Sequence, residues 1–118
     1  MLTKVLNSFG NAIHGLRTVL EEEHNFKIEI TISAVVTFCL FYFHFSYIES
    51  ALCVVAIIMV LIAEIANTAL EDLCDKVEPK YDSVIAKIKD TSGAFVLVAV
   101  LGAVIIGSIV FFHHFIYN

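Results

Sequence analysis

The chain has 118 residues, enough for at most one domain. It is 59% hydrophobic and 16% charged, where ordinary soluble domains carry roughly 25% charge, and a soluble domain of this length cannot bury so much apolar surface; lipid is the expected solvent for most of it. The net charge of -5 argues against nucleic-acid binding, which needs a basic surface.

Leu2, Val5, Leu6, Phe9, Ile13, Leu16 and Leu20 recur at steps of three and four, which predicts an amphipathic helix over residues 2–22. It is too polar to span a bilayer and is expected to lie on the membrane surface. Residues 1–27 carry no apolar h-region, so the later segments are expected to drive insertion and to stay in the mature protein.

Residues 28–47 are the first apolar stretch, and about 20 such residues cross the hydrocarbon core as a helix. Glu29 at its start and His44 near its end are expected to reach water. Tyr42 and Tyr47 suit an interfacial belt. A second span is expected over 51–75, its later half polar on one face and extending into the cytoplasm, ended by Val77-Glu78-Pro79 because proline disfavours helix in the residue before it. A polar cytoplasmic connection is expected at 76–91, with a helical turn turning Val84, Ile85 and Ile88 inward. Residues 93–117 form a third span, in which Ala99, Ala103 and Gly107 provide the small-residue stripe that lets helices approach closely in lipid. His113 and His114 at its end read as interfacial residues. Cys39, Cys53 and Cys74 show neither metal-ligand spacing nor a disulfide framework.

All seven Lys and Arg residues lie before the first span (Lys4, Arg17, Lys27) or between the second and third (Lys76, Lys80, Lys87, Lys89). The positive-inside rule then puts the N-terminus and the 76–91 connection in the cytoplasm. The fold class is therefore an all-α membrane protein: an amphipathic surface helix followed by three transmembrane helices.

The chemistry is expected on the second span. Glu64, Asn67, Glu71 and Asp75 share one helical face, and Glu64 to Glu71 is a rise of roughly 10 Å. An ionisable group inside a span costs about 2.5–3.5 kcal/mol on insertion scales, so it calls for a functional reason. Clustered carboxylates repel one another, and a divalent cation relieves the repulsion; oxygen ligands beside phosphates suit Mg²⁺. Glu21-Glu22-Glu23 and Lys89-Asp90 are expected at the same cytoplasmic level, where Lys89 can neutralise phosphate charge. The common nucleotide signatures are missing: Gly10 and Gly15 have the P-loop separation, but Leu16-Arg17 follows them.

The run Glu64-Ile65-Ala66-Asn67-Thr68-Ala69-Leu70-Glu71-Asp72-Leu73-Cys74-Asp75 resembles the E-x-x-N-[ST]-A-[IL]-E-x-x-x-D signature of the small bacterial membrane lipid kinases, comprising prokaryotic diacylglycerol kinase and undecaprenol kinase. Ser8-Phe9, Ala12, Gly15-Leu16, Glu23-His24-Asn25-Phe26-Lys27 and Ile88-Lys89-Asp90 with Ser92, Gly93 and Ala94 match further family elements, in order along nearly the whole chain. The resemblance implies a homotrimer in the bacterial cytoplasmic membrane that transfers the ATP γ-phosphoryl group to a lipid hydroxyl, with Mg²⁺ as cofactor. It implies Glu64 as general base or hydroxyl-positioning group, with Asn67 orienting the site. Glu23 and Glu71 would hold Mg²⁺ with the phosphates. Asp75 and Tyr81 would hold the nucleoside, and Lys89 and Asp90 would contact the phosphates. Lys4 stands where some members carry arginine and would contact nucleotide or substrate; Asn11 stands where some carry an aromatic residue. The residues alone leave two other readings open, a small proton-coupled transporter subunit and a non-enzymatic membrane assembly subunit, and the acceptor stays open between diacylglycerol and undecaprenol.

Overall fold

The structure, a computed structural model, describes residues 1–117. It consists of four helices, α1 (Leu2–Glu22), α2 (His24–Tyr42), α3 (Tyr47–Val77) and α4 (Ser83–Tyr117), with no strand among the described residues. Three of them, α2, α3 and α4, are long and apolar enough to cross a membrane; the protein is an all-helical membrane protein. At 1.5 Å per residue, α2 is roughly 28 Å long and matches the hydrocarbon core, while α3 and α4 exceed it by roughly 15–20 Å. That surplus is long enough to carry the polar stretch with Glu71, Asp75 and Lys89 beyond an apolar slab.

The helix ends follow local chemistry. Glu23 is extended (φ -100°, ψ 112°), ending α1 and capping α2 in one residue. The first apolar helix begins at His24, ahead of the expected 28, and stops at Tyr42. The chain turns over 43–46, where His44 takes a left-handed φ of 53°, a conformation polar residues tolerate better than branched ones. Ser46 and Glu49 then form a reciprocal capping box, Glu49 N–H donating to Ser46 Oγ and Ser46 N–H to the Glu49 carboxylate, which starts α3 at Tyr47 rather than at 51. At the other end α3 stops at Val77, before Glu78-Pro79. Asp82 accepts from the N–H groups of Val84 and Ile85, so α4 begins at Ser83. The polar stretch 76–91 is thus mostly helix, and the connection proper is 78–82.

Helices α3 and α4 pack along their length, α2 packs on α3, and α1 touches α2 and α3. The buried core lies toward the 43–46 turn, where Leu40, Phe45, Cys53 and Val110 meet, flanked by Val36, Ile106 and Phe111. Elsewhere the large apolar side chains of the spans are exposed, among them Phe38, Phe41, Leu97 and Ile105. In lipid these need no burial, since the surrounding acyl chains are as apolar as leucine. The apolar face of α1 (Leu6, Phe9, Ile13) is likewise uncovered, as suits a helix that rests on a membrane.

Truncating Leu40 tests this balance. Leu→Ala changes in soluble cores cost about 2–5 kcal/mol as transfer plus cavity. Lipid removes most of the transfer part, so Leu40→Ala is expected to cost about 1–2 kcal/mol in mixed-micelle unfolding titrations.

Candidate active site

Glu64 is the centre of the polar cluster. It lies more than halfway along α3 and is only 3% exposed. Its carboxyl is within hydrogen-bonding range of the Glu29 carboxyl on α2, and Glu23 and Glu71 stand close enough for their charges to bear on it. Four carboxylates from α2, α3 and the α1–α2 corner thus converge, although they lie up to 48 positions apart in the chain (23 to 71). Neighbouring carboxylates repel unless a proton or a cation lies between them.

Glu29 was not expected here. The sequence put it at the mouth of the first span, facing water. Because α2 begins at His24, Glu29 is more than one turn inside the helix and faces α3. One of its oxygens, Oε2, is buried with no hydrogen-bond partner. Thr68 Oγ1, one turn beyond Glu64, is also buried and unpartnered. Buried polar atoms are rarely left so.

Asn67 is held from both sides. Its Nδ2 donates to Glu71 Oε1 at 3.4 Å, at the long limit for a hydrogen bond, and its Oδ1 accepts from Ser92 Oγ at 2.8 Å. Ser92 is itself only 2% exposed. This contact joins α3 to α4 and fixes the side-chain amide, which otherwise has two ways to face. In the sequence Ser92 stood out only as a small residue following Ile88-Lys89-Asp90, ahead of the expected third span.

Farther out, Lys89 donates to Asp75, joining the start of α4 to the end of α3. Both side chains are substantially exposed, so the pair contributes about 0–1 kcal/mol; its effect is to set where the lysine charge stands. The remaining expected residues are less engaged. Tyr81 lies in the 78–82 connection and is 88% exposed. Asp90 is exposed on α4, and Lys4 is exposed on α1, where only its carbonyl is used, accepting from Ser8 Oγ. The structure therefore brings together Glu23, Glu64, Asn67 and Glu71, with Asp75 and Lys89 as a neighbouring pair. It leaves Lys4, Tyr81 and Asp90 without side-chain contacts to them among the described residues.

Beneath the cluster is an apolar groove of about 320 Å³ between α2, α3 and α4, lined by residues including Ile32, Val36, Ile57 and Val104, and Glu29 is its one ionisable side chain apart from the Cys53 thiol. Among the described residues, no three His, Cys, Asp or Glu side chains are gathered as a complete metal cage.

Three membrane-length helices with an acidic cluster between them define a small integral membrane protein with a buried ionisable site. The chain matches the family model for prokaryotic diacylglycerol kinase over residues 10–111. It is 30% identical to the diacylglycerol kinase of Escherichia coli K12 over 115 residues, covering 96% of this chain and 93% of that one. The Shigella flexneri diacylglycerol kinase matches to the same extent, and that of Haemophilus influenzae is 25% identical, covering 94% and 95% of the two chains. The chain belongs to the prokaryotic diacylglycerol kinase family and is a lipid kinase. The transporter and assembly-subunit readings are left without support.

Replacing Ser92 by alanine removes the donor to Asn67 Oδ1 and leaves a partly buried acceptor unpaired. Ser92→Ala is expected to lower stability by about 1–2 kcal/mol, read as a lower thermal midpoint of the purified protein, with Ser92→Thr retaining most of it.

Proposed function

We propose that this lipid kinase transfers the γ-phosphoryl group of Mg-ATP to the hydroxyl of diacylglycerol, in the bacterial cytoplasmic membrane and as a homotrimer. The observation that carries the reading is a buried Glu64 within an acidic cluster, beside Glu29, the carboxylate that borders the apolar groove. A lipid alcohol has the matching shape: an apolar body for the groove and a hydroxyl at the level of the carboxylates. The relatives named diacylglycerol kinases favour that acceptor over undecaprenol, which presents the same terminal hydroxyl on a longer tail.

Phosphoryl transfer asks mainly for positioning and neutralisation of charge. In the proposed reaction the lipid hydroxyl approaches Glu64, which takes its proton as the oxygen attacks the γ-phosphorus. The bond from that phosphorus to the β–γ bridging oxygen breaks, and ADP leaves with the electron pair. Asn67, fixed by Ser92 and Glu71, keeps the neighbouring carboxylates in register. Lys89 supplies a positive charge at the phosphate level, held there by Asp75. Lys4, Tyr81 and Asp90, exposed on three separate segments, would be recruited by the nucleotide itself. Asp75 and Tyr81 would hold the nucleoside, Asp90 and Lys89 the phosphates, and Lys4 either substrate.

The residues fit Mg²⁺ as this reaction uses it. Mg²⁺ keeps several waters and takes one or two carboxylates together with substrate phosphates, in place of an all-protein cage. Glu23 and Glu71, both half-buried beside Glu64, would hold it, and when bound it would neutralise the developing phosphate charge. The lysine and arginine distribution supports an N-terminus and a 78–82 connection in the cytoplasm, where ATP is found.

Purified protein in mixed micelles, given labelled ATP with diacylglycerol or undecaprenol, tests the proposal. Product is expected with diacylglycerol, and none when Mg²⁺ is omitted. Product with undecaprenol alone would move the acceptor to that branch, and product from neither lipid would overturn the reading. Glu71→Gln removes one proposed metal ligand, so its activity is expected to fall roughly 10–100-fold and to recover partly at higher Mg²⁺; unchanged Mg²⁺ dependence would exclude Glu71 from the metal site.

A further inference from the structure

A second polar cluster lies at the other end of α3, roughly 22 Å from Glu64 along the helix. Glu49, in the first turn of α3, is 8% exposed although charged. Two histidines from the last turns of α4 face its carboxylate: His114 Nδ1 is 3.4 Å from Oε1 and His113 Nδ1 is 3.5 Å from Oε2. The other ring nitrogen of His114, Nε2, is 2.9 Å from the carbonyl oxygen of Phe43, just past the end of α2. One imidazole thus touches all three membrane helices or their ends. The ring lies flat on Phe45, with centroids 3.8 Å apart and planes 11° from parallel, and its side chain is 15% exposed.

The donor and acceptor inventory decides what this arrangement requires. A carbonyl oxygen only accepts, so Nε2 must carry a proton to bond Phe43. An ionised carboxylate also only accepts, so Nδ1 must carry a proton to bond Glu49. A neutral imidazole has a single N–H. Either neutral tautomer therefore leaves a nitrogen lone pair facing an oxygen lone pair at a buried site. The imidazolium satisfies both contacts, pairs with a buried carboxylate, and sets a cation against the face of Phe45. The carboxylate end is committed as well, because the Ser46 N–H donates to Oε1 at 2.9 Å.

We propose that Glu49 and His114 form a proton-dependent clasp that fastens the α2–α3 turn to the end of α4, closed when His114 is protonated. His113 is the outer, more exposed arm, its side chain 59% exposed. The titratable groups facing Glu49 are Cys53 on its own helix and these two histidines. Helix α2 contributes only a carbonyl, and His44 in the turn is exposed. In the orientation proposed above this end faces away from the cytoplasm, so the proton would come from the exterior. That sidedness rests on the proposed orientation; the proton dependence does not. A clasp that needs a proton stabilises the fold at low pH, and its contribution is lost as the imidazole gives the proton up.

The test compares the thermal midpoint of the detergent-solubilised protein at about pH 5.5 and about pH 8, the interval over which histidines exchange protons, for wild type and for Glu49→Gln. Glutamine keeps the acceptor that faces both Ser46 N–H and His114 Nδ1 but carries no charge, so the variant lacks the ionic partner that favours the imidazolium. The wild-type midpoint is expected to fall by about 4 °C or more on going to the higher pH, and the variant by less than half as much. His14, His24 and His44 do not face Glu49, so the difference between the two proteins reports on the Glu49 cluster. Nitrogen-15 NMR of the imidazoles provides a second readout, with His114 expected as imidazolium in folded wild type at about pH 5.5. Equal pH responses in the two proteins, or a neutral His114 ring at that pH, would overturn the proposal.

Discussion

A carboxylate held inside an apolar helix bundle is the constraint on which the arrangement of this protein depends. Glu64 is 3% exposed, and another acid, Glu29, stands against it. A charge in that position is costly in lipid, and a like-charged neighbour adds to the cost. Glu23 and Glu71 bring more negative charge to the same place. Such a cluster persists only where the fold over-determines it. Here α3 and α4 supply the frame, locked across the site by Ser92–Asn67 and again by Lys89–Asp75. A lipid kinase has use for such a site: in the proposed reaction it brings the carboxylates and a membrane-dissolved hydroxyl to the same depth.

Helix length sets that depth. A span that matched the hydrocarbon core would place its ends at the headgroups and leave no room for the proposed nucleotide site on the same helices. Because α3 and α4 continue well beyond the core, one face of α3 carries an acid inside the apolar boundary and others about two and three turns farther out. The sharp corner at Glu23 has a related effect. By ending α1 and starting α2 within one residue, it brings a carboxylate from the surface helix to the same level as Glu71.

Much of this was legible in the sequence. The stripe Glu64–Asn67–Glu71–Asp75 follows from helical periodicity alone, and Pro79 marks the end of α3. The amphipathic pattern over 2–22 covers the same residues as α1. What periodicity could not supply were contacts between helices. Glu29 looked solvent-facing because the apolar run starts at Ile28, but the helix starts four residues earlier and turns the side chain toward Glu64. Ser92 and Asn67 are 25 positions apart, and nothing local in either residue announces the other. The Ser46–Glu49 capping box was readable as S-x-x-E, and it accounts for α3 starting ahead of position 51. Its second use, holding His113 and His114, depends on α4 ending at the same level.

The central claim is that Glu64 receives the proton of the acceptor hydroxyl, and Glu64→Gln tests it most directly. Glutamine has nearly the same shape, can hydrogen-bond the Glu29 carboxyl, and cannot serve as a base. The measurement is lipid phosphorylation under saturating ATP, made on variant protein whose thermal midpoint and oligomer size match those of wild type. The account predicts a loss of roughly 10²–10⁴-fold in kcat, with the KM for ATP changed only a few-fold because the nucleotide contacts lie elsewhere. A folded Glu64→Gln protein with wild-type turnover would contradict it.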